Sequence, residues 1–348
     1  MKKLIIAGLS LIILLNINSR GLAQEYDSII HTTFLEETEG IVILKNYGGL
    51  LPLHHSNIKI LTLIDPAPPG SDISSFGTIK NSLSDSVKIY SAMGANASIS
   101  LAVDSMFKEA VAKARWADVA IVFVGQANSF NGDGDVLRNR DIQNQSRLIR
   151  AVYEANPNTI VVLQTASAVD IEDWAFDIPA IIQAWTPKQE SGAAIADVLF
   201  GNIDPSGKLP FRWTMNENQN FMTRFPFGHG LSYTTIGIGK LMMRRNQDGS
   251  GWTATVETKN MGSRTGTEFL HVYVNHHERK TSMTERQLKA FRRVKLQAGQ
   301  KKIVSIQLPY EAFSSLSKEM NTWNIDPGLY DILVGTSAED IKLRKTIE

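Results

Sequence analysis

Five short apolar runs, most of them nearly unbroken, constrain this chain more than any other feature. They are "KILTLI" (59–64), "VKIYSA" (87–92), "DVAIVFV" (118–124), "TIVVLQ" (159–164) and "AIIQAW" (180–185). A strand apolar at almost every position has both faces covered, as in a sheet with helices on either side. The intervening stretches "SISLAVDSMFKEAVAKARW", "IQNQSRLIRAVYEAN" and "QESGAAIADVLFG" carry helical spacing, and "NPN" (156–158) stops the second. The alternation predicts a doubly wound parallel sheet, an αβα sandwich.

After Gly201 the pattern changes. Residues 201–235 are rich in Gly, Pro, Asn and aromatics without a period, and read as an ordered connection. Beyond them come the period-two segments "WTATVETKN", "TEFLHVYVNHH", "KAFRRVKLQ", "KIVSIQLP" and "YDILVGTS", parted by "MGSRTG", "QAGQK" and "DPGLY". Such segments predict an all-β, immunoglobulin-like sandwich of about 110 residues. The expected division is 1–23, 24–213, 214–235 as linker, and 236–348.

Residues 1–23 read as a secretory signal: two lysines, a short apolar core and small residues before a break after Ala23. The core is too short for a typical membrane span. Its removal takes Lys2, Lys3 and Arg20 with it, shifting the formal charge from +1 to −2. The expected protein is exported, periplasmic or secreted, with no membrane span after cleavage. A near-neutral chain without a basic block offers no field for nucleic acid. The absence of cysteine excludes disulfides, thiolate metal sites and a cysteine nucleophile.

The loop "NGDGDVLRNRD" (131–141), leaving the third apolar run, concentrates three carboxylates and two arginines. Asn131, Asp133 and Asp135 stand at the first, third and fifth positions of a calcium loop. Val136 and Ile142 then occupy the positions that need Gly and a bidentate Glu, so EF-hand binding is not expected. No Walker lysine or G-x-G-x-x-G spacing supports a phosphate cradle. The histidines lack ligand spacing, so no metal site is expected, and no cofactor is implied. A hydrated turn and a sugar-contacting loop both remain open, because Asn, Asp and Arg suit hydroxyl groups.

Several long phrases carry a resemblance: "EGIVILKNYGGLLPL" (39–53), "ADVAIVFVG" (117–125), "NPNTIVVLQTASAV" (156–169), "PAIIQAWTPKQESGAAIADVLFGNIDPSGKLPFRW" (179–213) and "FPFGHGLSYTT" (225–235). In this order they resemble the second domain of glycoside hydrolase family 3, which includes β-glucosidases and β-xylosidases. The remainder resembles that family's fibronectin type III-like domain. The resemblance implies an O-glycosyl hydrolase of carbohydrate metabolism acting on a β-linked glucoside or xyloside. Family members carry the aspartate nucleophile on a preceding barrel, which this sequence is expected to lack. A separately encoded barrel subunit is then an expected partner, and inactivity alone the expected behaviour. The alternative is a non-catalytic module that binds a glycan or a partner.

The resemblance also assigns the acid/base glutamate to the 125–141 loop, in a phrase like E-x-x-G. Here Asn131 takes that position, and an amide cannot deliver a proton. Asp133, with a shorter side chain, is the one substitute at hand. In "TPKQESG" (186–192) Lys188 and Ser191 replace glycines usual in the family. Gln189 and Glu190 are candidate sugar contacts, against a reading in which Glu190 favours a helix start. Asp170, Glu172 and Asp173 read as a solvated acidic turn, Trp185 as packing, and His229 as a contact between the domains.

Overall fold

The computed structural model of the 348-residue chain describes residues 38–65, 79–81, 83, 87–93, 103–125, 139–186, 191–214, 225–277, 286–317, 322–325 and 327–348. The expected signal, 1–23, lies outside the described residues. No helix among the described residues is long and apolar enough to cross a membrane.

The first unit holds β1 (Val42–Asn46), β2 (Ile60–Asp65), β3 (Lys88–Met93), α1 (Val103–Trp116), β4 (Val119–Gly125), α2 (Asn139–Ala155), β5 (Thr159–Gln164), β6 (Ala180–Gln183) and α3 (Ser191–Leu199). The six strands form one sheet in the order β1-β6-β5-β4-β2-β3. Strands β2 to β6 pair in parallel. Their alternate residues feed two cores. Leu61, Leu63, Ile121, Ile160 and Ile182 meet α3 through Ile195 and Val198. Ile64, Val122, Val161 and Ile181 meet α1 and α2 through Ala110, Ala114, Leu148 and Val152. A period-two strand buried on both sides must be apolar throughout, which is what four of the five runs encode; β3, at the sheet edge, exposes Lys88 and Tyr90. Fully burying each Val, Leu or Ile contributes about 1.5–3 kcal/mol.

The sheet is not wholly parallel. Strand β1 pairs with β6 in the antiparallel sense, Ile43 opposite Ile182 and Asn46 opposite Ala180. An apolar run does not state its own direction. That is set by its neighbours: the Tyr47 amide bonds the Pro179 carbonyl at the amino end of β6. On its other side Leu231 donates its N–H to Ile43 O at 2.9 Å, so β1 is covered rather than left as a bare edge.

Helix α2 starts three residues before the expected Ile142 and stops where "NPN" predicts. Asn156 is buried at that stop. Its side chain donates to Ala114 O (2.9 Å) and Ala117 O (2.7 Å), and accepts from the Asn158 amide. Strand β6 ends two residues short of the expected Trp185, whose φ of 61° turns the chain out of the sheet. The acidic turn 170–177 is not all solvent: Trp174 within it is buried in the core.

The second unit is a β-sandwich. A four-stranded sheet has the order β10-β9-β14-β15 and a three-stranded sheet the order β11-β8-β7, with a small β12–β13 hairpin. The strands are β7 (Ile236–Arg245), β8 (Gly251–Asn260), β9 (Gly266–His276), β10 (Leu288–Leu296), β11 (Lys301–Pro309), β12 (Ser315–Ser317), β13 (Thr322–Asn324), β14 (Tyr330–Gly335) and β15 (Ile341–Ile347). The five expected segments are β8, β9, β10, β11 and β14. Their inward residues, among them Val256, Leu270, Val272, Val294, Ile306 and Ile332, form the core.

Residues 201–235 join the units by direct bonds. The Asp204 carboxylate accepts from Ser232 Oγ (2.8 Å) and the Tyr233 amide (2.8 Å), and from the Thr267 amide of β9 (3.3 Å). Lys208 pairs with Glu268 of β9 at 2.8 Å. Arg212 pairs with Glu339, and Arg293 of β10 with Glu39. Tyr233 Oη donates to Val198 O of α3 at 2.6 Å.

Candidate functional site

In a doubly wound sheet, ligands bind beyond the carboxyl ends of the strands where the chain reverses its direction of travel across the sheet. From β2 the chain steps outward to β3 and then back past β2 to β4. The crevice therefore opens between the carboxyl ends of β2 and β4. The 126–138 loop leaves β4 at that place.

Amide side chains are the commonest polar groups among the described residues of this rim. The five parallel strands end in Asp65, Met93, Gly125, Gln164 and Gln183. Asp65 is the one carboxylate among them, and it is 5% exposed. Gly125 lies so close to β5 that a Cβ there would stand 2.7 Å from Gln164 O. Gln145 of α2 donates through Nε2 to Gly125 O at 2.9 Å, fixing the end of β4. Gln183, fully buried, donates to Thr165 O at 2.7 Å. The amide oxygens of Gln145 and Gln183 are buried and find no hydrogen-bond partner among the described residues.

Trp185 follows in a left-handed conformation rare for a bulky residue. Its indole N–H donates to Gly40 O at 2.7 Å, and its ring meets Phe211 edge-on at 6.1 Å. The side chain packs against the α1/α2 core, in keeping with the packing role read from sequence.

The five candidate residues, Asn131, Asp133, Asp135, Gln189 and Glu190, lie outside the described residues. The structure gives the anchors of their segments: Gly125 and Asn139 for the first, Thr186 and Ser191 for the second. Asp65, Gln145 and Gln183 were not singled out in the sequence. The usable signal was a polar residue closing an otherwise apolar strand, as in "LTLID" and "AIIQ".

The described histidines of the connection and the sandwich make structural contacts. His229 does not bridge the domains as expected: its Nε2 donates to Leu44 O of β1 at 2.8 Å and its ring stacks on Phe225. Burial lowers its pKa. His271 packs beneath Gly228, 3.2 Å from Tyr273 Oη; burial, helped by the charge of Lys208, brings its pKa down to about 4. His277 meets the carboxylate of Asp331 at 3.1 Å, a cross-strand neighbour invisible in linear spacing. Among the described residues, no group of three or more His, Asp or Glu could hold a metal.

Residues 41–233, more than half the chain, match the family model described as the glycosyl hydrolase family 3 C-terminal domain. The chain belongs to glycosyl hydrolase family 3. Residues 268–338 match the fibronectin type III-like domain. The thermostable beta-glucosidase B of Acetivibrio thermocellus is 29% identical over 370 aligned positions, covering 93% of this chain and 49% of that protein. A beta-xylosidase of Formosa agariphila is 28% identical, covering 87% of this chain and 48% of its own length. Among solved structures, the family 3 beta-glucosidase of Bifidobacterium adolescentis superposes with a TM-score of 0.79 at 26% identity, covering 92% of this chain and 53% of that one. The chain thus spans about half the length of these family 3 relatives.

Proposed function

We propose that this chain is a β-glucosidase-type family 3 protein of carbohydrate metabolism whose rim contributes to a glycoside site without completing it. The observation that carries the reading is the single carboxylate, Asp65, among the ends of the five parallel strands. A retaining glycosidase needs two carboxyl groups about 5 Å apart, one to attack the anomeric carbon and one to protonate the leaving oxygen. Asn131 holds the position that the family gives to its acid. The substrate proposed is a β-linked glucoside or xyloside, whose hydroxyls suit the amide groups of the rim. The nucleophile is proposed to come from a barrel outside these 348 residues, docked over the crevice between β2 and β4. Export to the periplasm or medium is part of the proposal, and rests on residues 1–23.

The test is turnover. The purified 348-residue polypeptide, incubated with 4-nitrophenyl β-glucoside and β-xyloside, is expected to release no aglycone above the buffer blank. Hydrolysis that is lost in Asp133→Ala but kept in Asn131→Ala would overturn the reading and make Asp133 the acid.

A further inference from the structure

The sandwich carries a groove of about 530 Å³ on the outer face of its three-stranded sheet. It crosses the strands at one level. Gly237 and Gly239 of β7 form part of its floor, Glu257 and Lys259 of β8 its middle, and Lys301 and Ile303 of β11 its far side. The two steps between three strands span roughly 10 Å, room for two pyranose rings end to end.

Gly239 lies within the bulge of β7, whereas Gly237 stands in regular register opposite Lys259. Neither has a positive φ, although the register shifts between Ile238 and Leu241. A Cβ on Gly237 would first meet Met261 Cγ at 3.4 Å, and one on Gly239 would meet Glu257 Cβ at 3.6 Å, both ordinary contacts. Glycine inside a strand weakens it and marks a bulge or a close approach by a ligand; Gly237, outside the bulge and uncrowded, points to the second. The lysines point the same way. Lys259 and Lys301 stand directly opposite each other in the β8–β11 register. Like charges in that relation repel and destabilise a sheet. Lysine on an edge strand can deter aggregation, but Lys259 sits on the central strand. No ion pair of either lysine occurs among the described residues. An anion between the two ammonium groups would relieve the repulsion.

We propose that this groove binds an acidic oligosaccharide, with a uronate carboxylate between Lys259 and Lys301. The pyranose rings lie on the glycine floor and against Ile303, which is 63% exposed. Glu257 accepts hydrogen bonds from ring hydroxyls. A saccharide is favoured over an acidic peptide by the direction of the groove. It runs across the strands, where the main-chain groups of β8 are already paired with β7 and β11. An extended peptide finds no main-chain partners there, whereas strand addition depends on them.

The experiment is a titration of the isotope-labelled full chain with digalacturonic acid, followed by amide chemical shifts. Because binding is read without turnover, it is independent of the hydrolase reading. Saturable shifts are expected at Gly237, Gly239, Thr258 and Ile303, with cellobiose, a neutral disaccharide, at least tenfold weaker. Gly239→Val, which suits a strand interior, is expected to weaken binding at least tenfold, and Lys259→Gln to do the same with the floor untouched. The proposal is overturned by no saturable shift, by equal binding of cellobiose, by tighter binding of hexaglutamate at the same residues, or by unchanged affinity in both variants.

Discussion

Asp204 shows how a single side chain can hold two domains. Its carboxylate takes hydrogen bonds from Ser232, Tyr233 and Thr267, on both sides of the junction. Desolvation raises its pKa, and the three hydrogen-bond donors only partly oppose that rise. Asp204→Ala leaves the Tyr233 and Thr267 amides without their acceptor, and is expected to cost about 2–4 kcal/mol in urea unfolding. The pH dependence has a definite sign. A carboxyl whose folded pKa lies above its unfolded value favours folding when protonated, and that contribution is lost as pH rises through the folded pKa. Wild type is therefore expected to gain stability relative to Asp204→Asn as pH falls from neutral towards the unfolded value; urea midpoints of both proteins across pH 7 to 4 measure it. Asp331 behaves oppositely. Burial alone would raise its carboxyl, but bonds from Arg344, Thr346 and His277 outweigh it and hold it below its usual range. That contribution is present above the unfolded pKa and lost as acid passes the folded one. The sequence hides both carboxylates, since their partners come from distant strands.

The elements of the α/β unit were largely legible because β2, β4 and β5 are buried on both sides and must be apolar throughout. What apolarity does not encode is direction, which is why β1 emerges as antiparallel only through its contacts with Pro179 and Leu231. In the sandwich, β7 "IGIGKLMMRR" and β15 "IKLRKTI" were not singled out. The first is interrupted by two glycines, and the second carries three basic residues and ends the chain. Polar junctions are similarly silent. Asn156 looks like a helix stop, yet it also ties α1 to the turn before β5 through Ala114 and Ala117. Asn156→Ala leaves both carbonyls without that donor, and a loss of about 2–3 kcal/mol is expected. Hydrogen exchange of the α1 and β5 amides should accelerate together in that variant. Acceleration confined to α2 would show that the side chain serves only as a cap.

For the whole molecule, the junction predicts one folding unit. Lys208 and Glu268 are each only 14% exposed at the side chain, and Phe227 of the connection packs beside Tyr273 and Leu333 of the sandwich. Thermal unfolding is expected as a single calorimetric transition. Lys208→Ala strands Glu268, costs about 1–3 kcal/mol as a partly buried pair, and is expected to lower the transition temperature without splitting it. The rim was less legible than the fold: its position follows from strand order, but the acid position in the 126–138 loop was readable only through family resemblance. A chain of charges and amides has no spacing that distinguishes a solvated turn from a sugar contact.

Leu231 closing over β1 has a consequence for assembly. With that flank already hydrogen-bonded to its own chain, the α/β sheet has no template there on which a second molecule could add a strand. Any companion must seat itself by side-chain complementarity against the rim or the helices, or approach at β3 on the opposite margin.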